Sequence, residues 1–329
     1  MKYKNLLVVC VQKVLMRDES LYNLIQENEI FIFLEYLSHA VKHVVKNKSL
    51  WTGEGRPQKE LFDVLVCLAI QHYFGRSLRR SMGLIRLCIM FARIPVEIPC
   101  FRTLSNYRNN EFVQVYMDKL IEITSNPLRH IETDFSTDAT GESTSSSSSY
   151  FNLRMKRRIQ RKDHITVHVT TTRKLNSVAA LNVNCKDGKD SVILREHVKK
   201  IRKNFEKIND WSGDSKYLAR ENCNAVSEAG GTPWFRLKKN TKARAKGSKP
   251  WRCMVKNAKE TPEKFYEHYH KRSNSESTNS AKKRKFGSSV RSRNDIAKVN
   301  ESYWQWIGYN FTVLGRAKYE YGVVPRWMK

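Results

Sequence analysis

No two cysteines in this 329-residue chain form a C-x-x-C pair; the seven, at 10, 67, 88, 100, 185, 223 and 253, are scattered and odd in number. That argues against a disulfide framework and against a zinc knuckle, and makes a reducing cytosol the natural compartment. The nine histidines are equally dispersed, and His268 and His270, which flank Tyr269, have no cysteine nearby. No apolar run approaches the ~18 residues that a membrane span needs. The opening MKYKNLLVVCVQK imitates a secretory signal, but Leu6 to Val11 is too short and no small-residue cleavage site follows. Nor is there an internal repeat that would indicate a solenoid. Acid is scarce relative to base: Asp and Glu number 32 against 60 Lys and Arg, a formal net charge of +28. Such an excess opposes compaction unless a polyanion neutralises it. Nucleic acid is the first partner class this suggests and an anionic membrane surface the second.

What is present is enough for a packed core. Hydrophobic residues make up 40% of the chain, and the length suits about two domains. Residues 1 to about 128 read as helical. Leu21, Leu24 and Ile25, the run from Ile30 to Leu37, and Val41, Val44 and Val45 recur at three- and four-residue intervals. Further helices are expected from about Gln58 to Phe74 and from Leu78 to Phe91. Pro95 and Pro99 break the pattern, and Thr103 or Ser105 is placed to cap the next helix. Arg76, Arg79, Arg80, Arg86, Arg102 and Arg108 either meet DNA phosphates or face water.

From about His130 the period shortens to alternation. HIETDFSTDATG reads as a strand ending in a turn at Gly141, followed by strands 164–172 and 177–185, a three-stranded meander. The first connection carries a serine run and then Arg154, Lys156, Arg157, Arg158, Arg161 and Lys162, a loop whose basic half suits a DNA backbone. A helix from about Ser191 to Phe205, capped near Asp190, precedes a buried strand, a helix ending at Gly230-Gly231 and the strand 232–239. Three antiparallel strands followed by strands alternating with helices is the order of a ribonuclease-H-like sheet. The basic, aromatic stretch after Lys239 is too short for a large inserted subdomain, and a helix is expected from about Thr261 onward. A last amphipathic helix carries Trp304 and Trp306, suited to packing on the sheet or to stacking on bases.

Phosphodiester cleavage in DNA needs an activated oxygen nucleophile and stabilisation of a leaving oxygen. Two divalent ions roughly 4 Å apart supply both when carboxylates from separate elements hold them. Asp138 and Asp214 each lie at a strand end and Glu276 lies in the stretch YHKRSNSESTNSAKK. On one α-helix Tyr269, Arg272, Glu276 and Lys283 would point within roughly 60° of one another, at about 100° per residue. By pattern alone that polar stretch reads as a solvated basic linker, Asp138 as a turn residue and Asp214 as a helix cap.

The spacing Tyr-x-x-Arg-x-x-x-Glu-x-x-x-x-x-x-Lys nevertheless resembles, without a gap, the signature around the third acidic residue of insertion-sequence DDE transposases. Asp138-Ala-Thr-Gly resembles that family's first acidic motif and Asp214-x-x-Tyr217 its second; Gly230-Gly231-Thr-Pro, Asn300-Glu301 and Asn310 also fit. The resemblance covers about residues 130 to 314 well and the N-terminal part loosely, mainly around Pro99 to Arg108. It implies an α/β chain: a ribonuclease-H-like mixed sheet flanked by helices (129–314), preceded by an all-α DNA-binding domain (1–128) and followed by a short tail (315–329). It implies metal-dependent cleavage at element ends and strand transfer into target DNA. Asp138, Asp214 and Glu276 would be catalytic ligands of two Mg²⁺ or Mn²⁺ ions, and Tyr269, Arg272 and Lys283 would contact DNA phosphates. The implied setting is the cytoplasm, on the nucleoid, as a homodimer or higher oligomer on element ends and target DNA, with no membrane. Asp134 shares a strand face with Asp138 and competes with it; the motif selects Asp138. Glu142 stands where relatives carry an apolar residue, so it either perturbs packing or adds charge near the metals. The alternative is a DNA-binding protein without catalysis, such as a decayed transposase copy, and charge alone also admits an RNA-binding protein.

Overall fold

The computed structural model describes residues 19–45, 59–144, 164–185 and 190–328. The serine run and the basic residues 154–162 lie outside them.

Among the described residues five helices come first: α1 (Glu19–Val45), α2 (Leu61–Tyr73), α3 (Leu78–Ala92), α4 (Phe101–Arg108) and α5 (Phe112–Ser125). Neither Thr103 nor Ser105 caps α4, contrary to expectation; the helix starts at Phe101, directly after Pro99-Cys100, and contains both. Proline restricts the residues before it to extended backbone, so the helix begins as soon as the second proline is passed. The next start is fixed by Asn110, whose Oδ1 accepts the Phe112 amide at 2.9 Å.

The sheet contains β1 (Phe135–Ser143), β2 (His164–Thr172), β3 (Val178–Asn184), β4 (Asp210–Gly213) and β5 (Thr232–Phe235), in the spatial order β3-β2-β1-β4-β5. The first three strands pair antiparallel, whereas β4 joins β1 and β5 joins β4 in parallel. Two sequence-based boundaries change. β1 does not turn at Gly141 but runs on to Ser143, because β2 pairs with it along its whole length to Ser143↔His164. β5 stops at Phe235 rather than Lys239, because β4, its only partner among the described residues, is four residues long.

Helices α6 (Asp190–Asn204) and α7 (Arg220–Glu228) make the parallel crossovers, followed by α8 (Lys249–Glu260), α9 (Pro262–Tyr269), α10 (Ser273–Phe286) and α11 (Asp295–Tyr321). The start of α8 was missed in the sequence. Its signal is ordinary: Ser248 accepts the Trp251 amide, Pro250 sits in the first turn, and Trp251, Met254 and Val255 form the buried stripe.

Side chains alternate across the sheet, and a core lies on each face. On one, Phe135, Trp211, Phe235 and Leu194 pack with Trp251, Met254 and Phe265. On the other, Ile165, Val167, Val169, Val178 and Leu181 pack with α11 and with the N-terminal helices, so Phe33, Leu37, Leu65, Leu120, Trp306 and Phe311 share one core. Trp304 and Trp306 are buried there and are not free to stack on bases. Asn310 fastens α11 to β3, accepting from the Val178 amide at 2.8 Å and donating to its carbonyl at 2.9 Å. The architecture is a mixed α/β sheet of ribonuclease-H-like type with a helical N-terminal region.

Candidate active site

The parallel pairing of β1 with β4 ends at Thr137↔Gly213. Asp138 and Asp214 are therefore the next positions on adjacent strands, where the two chains separate. β1 continues toward β2's side while β4 turns into a 3-10 helix, Ser215–Tyr217. Asp214 caps that turn, its Oδ1 accepting the Ser215 amide at 2.7 Å. Tyr217 locks the turn from below: it is fully buried, and its hydroxyl lies 2.9 Å from His168 Nδ1 on β2.

Glu276 arrives on α10, which lies over the face of β1 that carries Ser136, Asp138, Thr140 and Glu142. Its docking is polar. Ser275 donates to the Ser136 carbonyl at 3.2 Å and meets Thr171 Oγ1 at 3.0 Å. Asn279 donates to Asp138 Oδ2 at 3.2 Å, and Lys283 donates to Thr140 Oγ1 at 2.7 Å. Lys283 thus joins the Tyr-Arg-Glu-Lys stretch to the threonine of Asp138-Ala-Thr-Gly.

Arg272 links two of the three acids. Its guanidinium bonds Glu276 and lies 3.7 Å from Asp138 Oδ1. Burial raises the Asp138 pKa; Arg272 opposes the shift, and the negative charges of Glu276 and Asp214 add to it. Burial likewise raises the Tyr269 hydroxyl, with Arg272 opposing and Asp214 and Glu276 adding. The three carboxylates and the phenol therefore share one electrostatic environment. Among the described residues no three His, Cys, Asp or Glu side chains are gathered tightly enough to hold an ion between them; here the Arg272 guanidinium is the cation between Asp138 and Glu276.

The expected single helix from Tyr269 to Lys283 is broken. Tyr269 ends α9, a 3-10 turn covers His270–Arg272, and α10 starts at Ser273. Across this break Asp210 binds His268 Nδ1 and Lys271 Nζ at 2.7 Å each, two side chains three residues apart and so on one side of the chain.

Asp134 precedes β1 and is paired with Arg173 at 3.0 Å. Four residues of strand put it roughly 13 Å along the chain from Asp138. Glu142 adds no free charge: it and Lys282 are fully buried and ion-paired, and Lys282 also donates to Gln305 at 2.6 Å and lies over the Trp306 ring. Arg108 is not open to phosphate either, because it pairs with Glu301 at 3.5 Å and bonds Ser292. Arg76, Arg79, Arg80, Arg86 and Arg102 remain exposed.

Asn279 was not singled out from the sequence, although it is one helical turn beyond Glu276 and so on the same face. Ser275 and Lys282 were missed for a different reason: nothing in a run of serines and lysines says which of them are buried.

Residues 128–311 match the family model of the transposase DDE domain. The chain belongs to that family. Neither a curated protein nor a solved structure matches it. A transposase acts on DNA, which accounts for the charge of +28. Among the described residues of this transposase, no helix is long and apolar enough to cross a membrane.

Proposed function

We propose that the chain cleaves DNA at the ends of a mobile element and joins those ends to target DNA, with Asp138, Asp214 and Glu276 as its catalytic acids. The observation that carries this reading is the splay of β1 from β4 after Thr137↔Gly213, beneath a helix that brings Glu276 to Asp138 through Arg272. The donor set suits magnesium or manganese, which prefer hard oxygen ligands. Asn279 adds to the fit, since its Oδ1 is buried without a hydrogen-bond partner beside Asp138. When bound, two such ions supply an activated water or hydroxyl and stabilise the departing oxygen.

The chain's own groups do the rest. Arg272 neutralises Glu276 and Asp138 in the absence of an ion and offers a fork to phosphate oxygens in its presence. Lys283, held by Thr140, presents a point charge on the same helix face. Tyr269 orients the DNA end near Asp214. In this reading the helices of 1–128 recognise terminal DNA, 129–314 form the catalytic domain, and 315–329 a tail. The active form is a homodimer or higher oligomer on DNA, in the cytoplasm on the nucleoid.

The test is nicking of a duplex carrying the inverted repeats that flank the coding region. Cleavage is expected with magnesium or manganese, poorly with calcium, and not in excess chelator. Asp138→Asn is expected to abolish nicking and Asp134→Asn to spare much of it; the reverse order would show the wrong aspartate to be chosen. End binding without nicking under any divalent ion would leave a DNA-binding protein without catalysis.

A further inference from the structure

The chain that leaves β5 builds a second basic surface, separate from Tyr269, Arg272 and Lys283. From Arg236 to Lys259 the sequence contains no aspartate or glutamate. Among the described residues no carboxylate pairs with Lys238, Lys239, Lys242, Arg244 or Lys246, and all five are exposed.

This segment is a built platform. Arg220, at the start of α7, lies over the Trp251 ring at 4.6 Å and donates to the carbonyls of Ala245 and Arg244 at 3.1 Å each. Trp251 Nε1 donates to the Lys242 carbonyl at 3.1 Å, and Thr241 Oγ1 to that of Lys238 at 2.7 Å. Ser248 ties the far end to Asn224 at 2.6 Å. Three loop carbonyls are thus held by Arg220 and Trp251 and a fourth by the loop's own Thr241, while the basic side chains between them are exposed. Lys246 and Gly247, at φ +42° and +84°, turn the chain into α8. Left-handed backbone in two successive residues is costly for anything but glycine or asparagine, so the turn is held by its surroundings. The cations rim an open hollow of about 420 Å³.

Its position gives the surface a partner. β1, β4 and β5 run parallel with Thr137, Gly213 and Phe235 in register, so Asp138, Asp214 and Arg236 follow at one level of the sheet, where β4 and β5 end and β1 runs on. The Arg236 amide donates to the Gly213 carbonyl at 3.2 Å, one residue before Asp214. Adjacent strands are about 4.8 Å apart. The basic path therefore starts beside the carboxylates and leads outward past β5.

We propose that the loop from Arg236 to Lys249 is a second DNA-backbone site, which holds the duplex flanking the phosphate at the carboxylates and adds affinity without taking part in cleavage. It deepens the DNA-cleaving reading and rests on it for which phosphate lies at the carboxylates; the charge and the platform stand without it.

The experiment compares the full chain with a triple variant, Lys242→Ala, Arg244→Ala and Lys246→Asn, the last chosen because asparagine tolerates left-handed backbone. A charge-matched control removes Lys199, Arg202 and Lys203, exposed on α6, by alanine substitution. Duplex binding is measured in chelator across a salt titration. Each lost phosphate contact lowers the log–log salt slope by about 0.9, so the loop variant is expected to lose about 2 to 3 units of slope and about tenfold or more in low-salt affinity. The control is expected to lose less than about one unit. A loop-variant slope equal to that of the parent, or an equal loss in the control, overturns the proposal. So does double-stranded RNA of equal charge competing better than DNA, because the partner class is then wrong. Duplexes extended on one side of the element boundary or the other tell whether the flank held is element or neighbouring DNA; a loss independent of both extensions also overturns it. Nicking in magnesium is assayed separately. A parent that binds with the expected slope change but never nicks refutes the cleavage reading and leaves the loop site standing.

Discussion

Two consecutive helices, α10 and α11, pack on the same side of the molecule by opposite means. The buried side chains of α11 include Trp304, Trp306, Ile307, Phe311 and Leu314, and most of its length lies in the apolar core. Those of α10 are Ser275, Thr278, Asn279 and Lys282, without a hydrophobe among them. Apolar burial is strong but non-directional. Hydrogen bonds fix distance and angle, so α10 can occupy only one register against β1. The helix that carries Glu276 and Lys283 is therefore positioned by directional contacts, and the neighbouring helix supplies the stability that those contacts lack.

The largest expected effect tests the outward face of α10. Glu276→Gln keeps shape and removes charge; nicking of an end-sequence duplex is expected to fall more than the roughly 10–100-fold typical of changes behind a metal ligand. Binding of the same duplex is expected to survive, whereas Arg272→Ala is expected to weaken both binding and nicking. Equal loss of binding in the two variants would make α10 a general DNA grip.

The inward face comes next. Lys282→Met strands Glu142 as a buried, unpaired charge and is expected to destabilise by about 3–5 kcal/mol. Trp306→Ala on α11 is expected to cost a similar ~3–5 kcal/mol through the cavity it leaves. The double change Lys282→Met with Glu142→Leu separates the two helices: denaturant midpoints are expected to recover while nicking stays depressed. Full recovery of nicking would show that apolar docking positions α10 equally well.

Acid extends the comparison to buried polar groups elsewhere. Burial lowers His72 on α2 to about 4 and His197 on α6 to about 3. Unfolded histidine titrates near 6.5, so below that pH the unfolded chain binds more protons than the folded one. The stability from keeping these rings neutral is complete above pH 6.5 and is lost as pH falls toward 4 and 3. Each histidine contributes a slope of about 1.4 kcal/mol per pH unit. Denaturant midpoints at pH 7 and pH 5 measure it, and His197→Gln is expected to flatten the difference. Equal midpoints at the two pH values would refute it.

The smallest effect isolates one directional contact. Ser275→Ala removes the hydroxyl that meets Ser136 and Thr171 and is expected to cost about 1 kcal/mol. A loss of nicking greater than the stability change predicts would identify it as a register contact.

Most of the fold was legible because it rests on periodicity. The three- and four-residue spacing of Leu61, Val64, Leu65 and Leu68 and the alternation of β2 gave element types directly. Boundaries failed where a neighbour decides them. β1 runs past Gly141 because β2 pairs with it, and β5 stops at Phe235 because β4 is short. In the site, motif spacing marked Asp138, Asp214 and Glu276, while Asn279 and the Glu142–Lys282 pair became visible only once α10 lay on β1.

The sequence by itself narrowed the partner to a polyanion, through its excess of cations, and determined the mixed sheet, through the change of period near His130. It did not place the acids within their strands: Asp214 directly follows β4, but Asp138 lies inside β1, where only the pairing with β4 ends. Tertiary structure alone decided that the N-terminal helices share a core with α11, that Asp210 holds His268 and Lys271 across the break after Tyr269, and that a serine- and lysine-rich helix is buried on one side. The physical reason is common to all three. An apolar side chain carries its preference for burial wherever it stands, but a serine, lysine or aspartate is stable inside only when a specific partner, distant in sequence, meets it at hydrogen-bond distance.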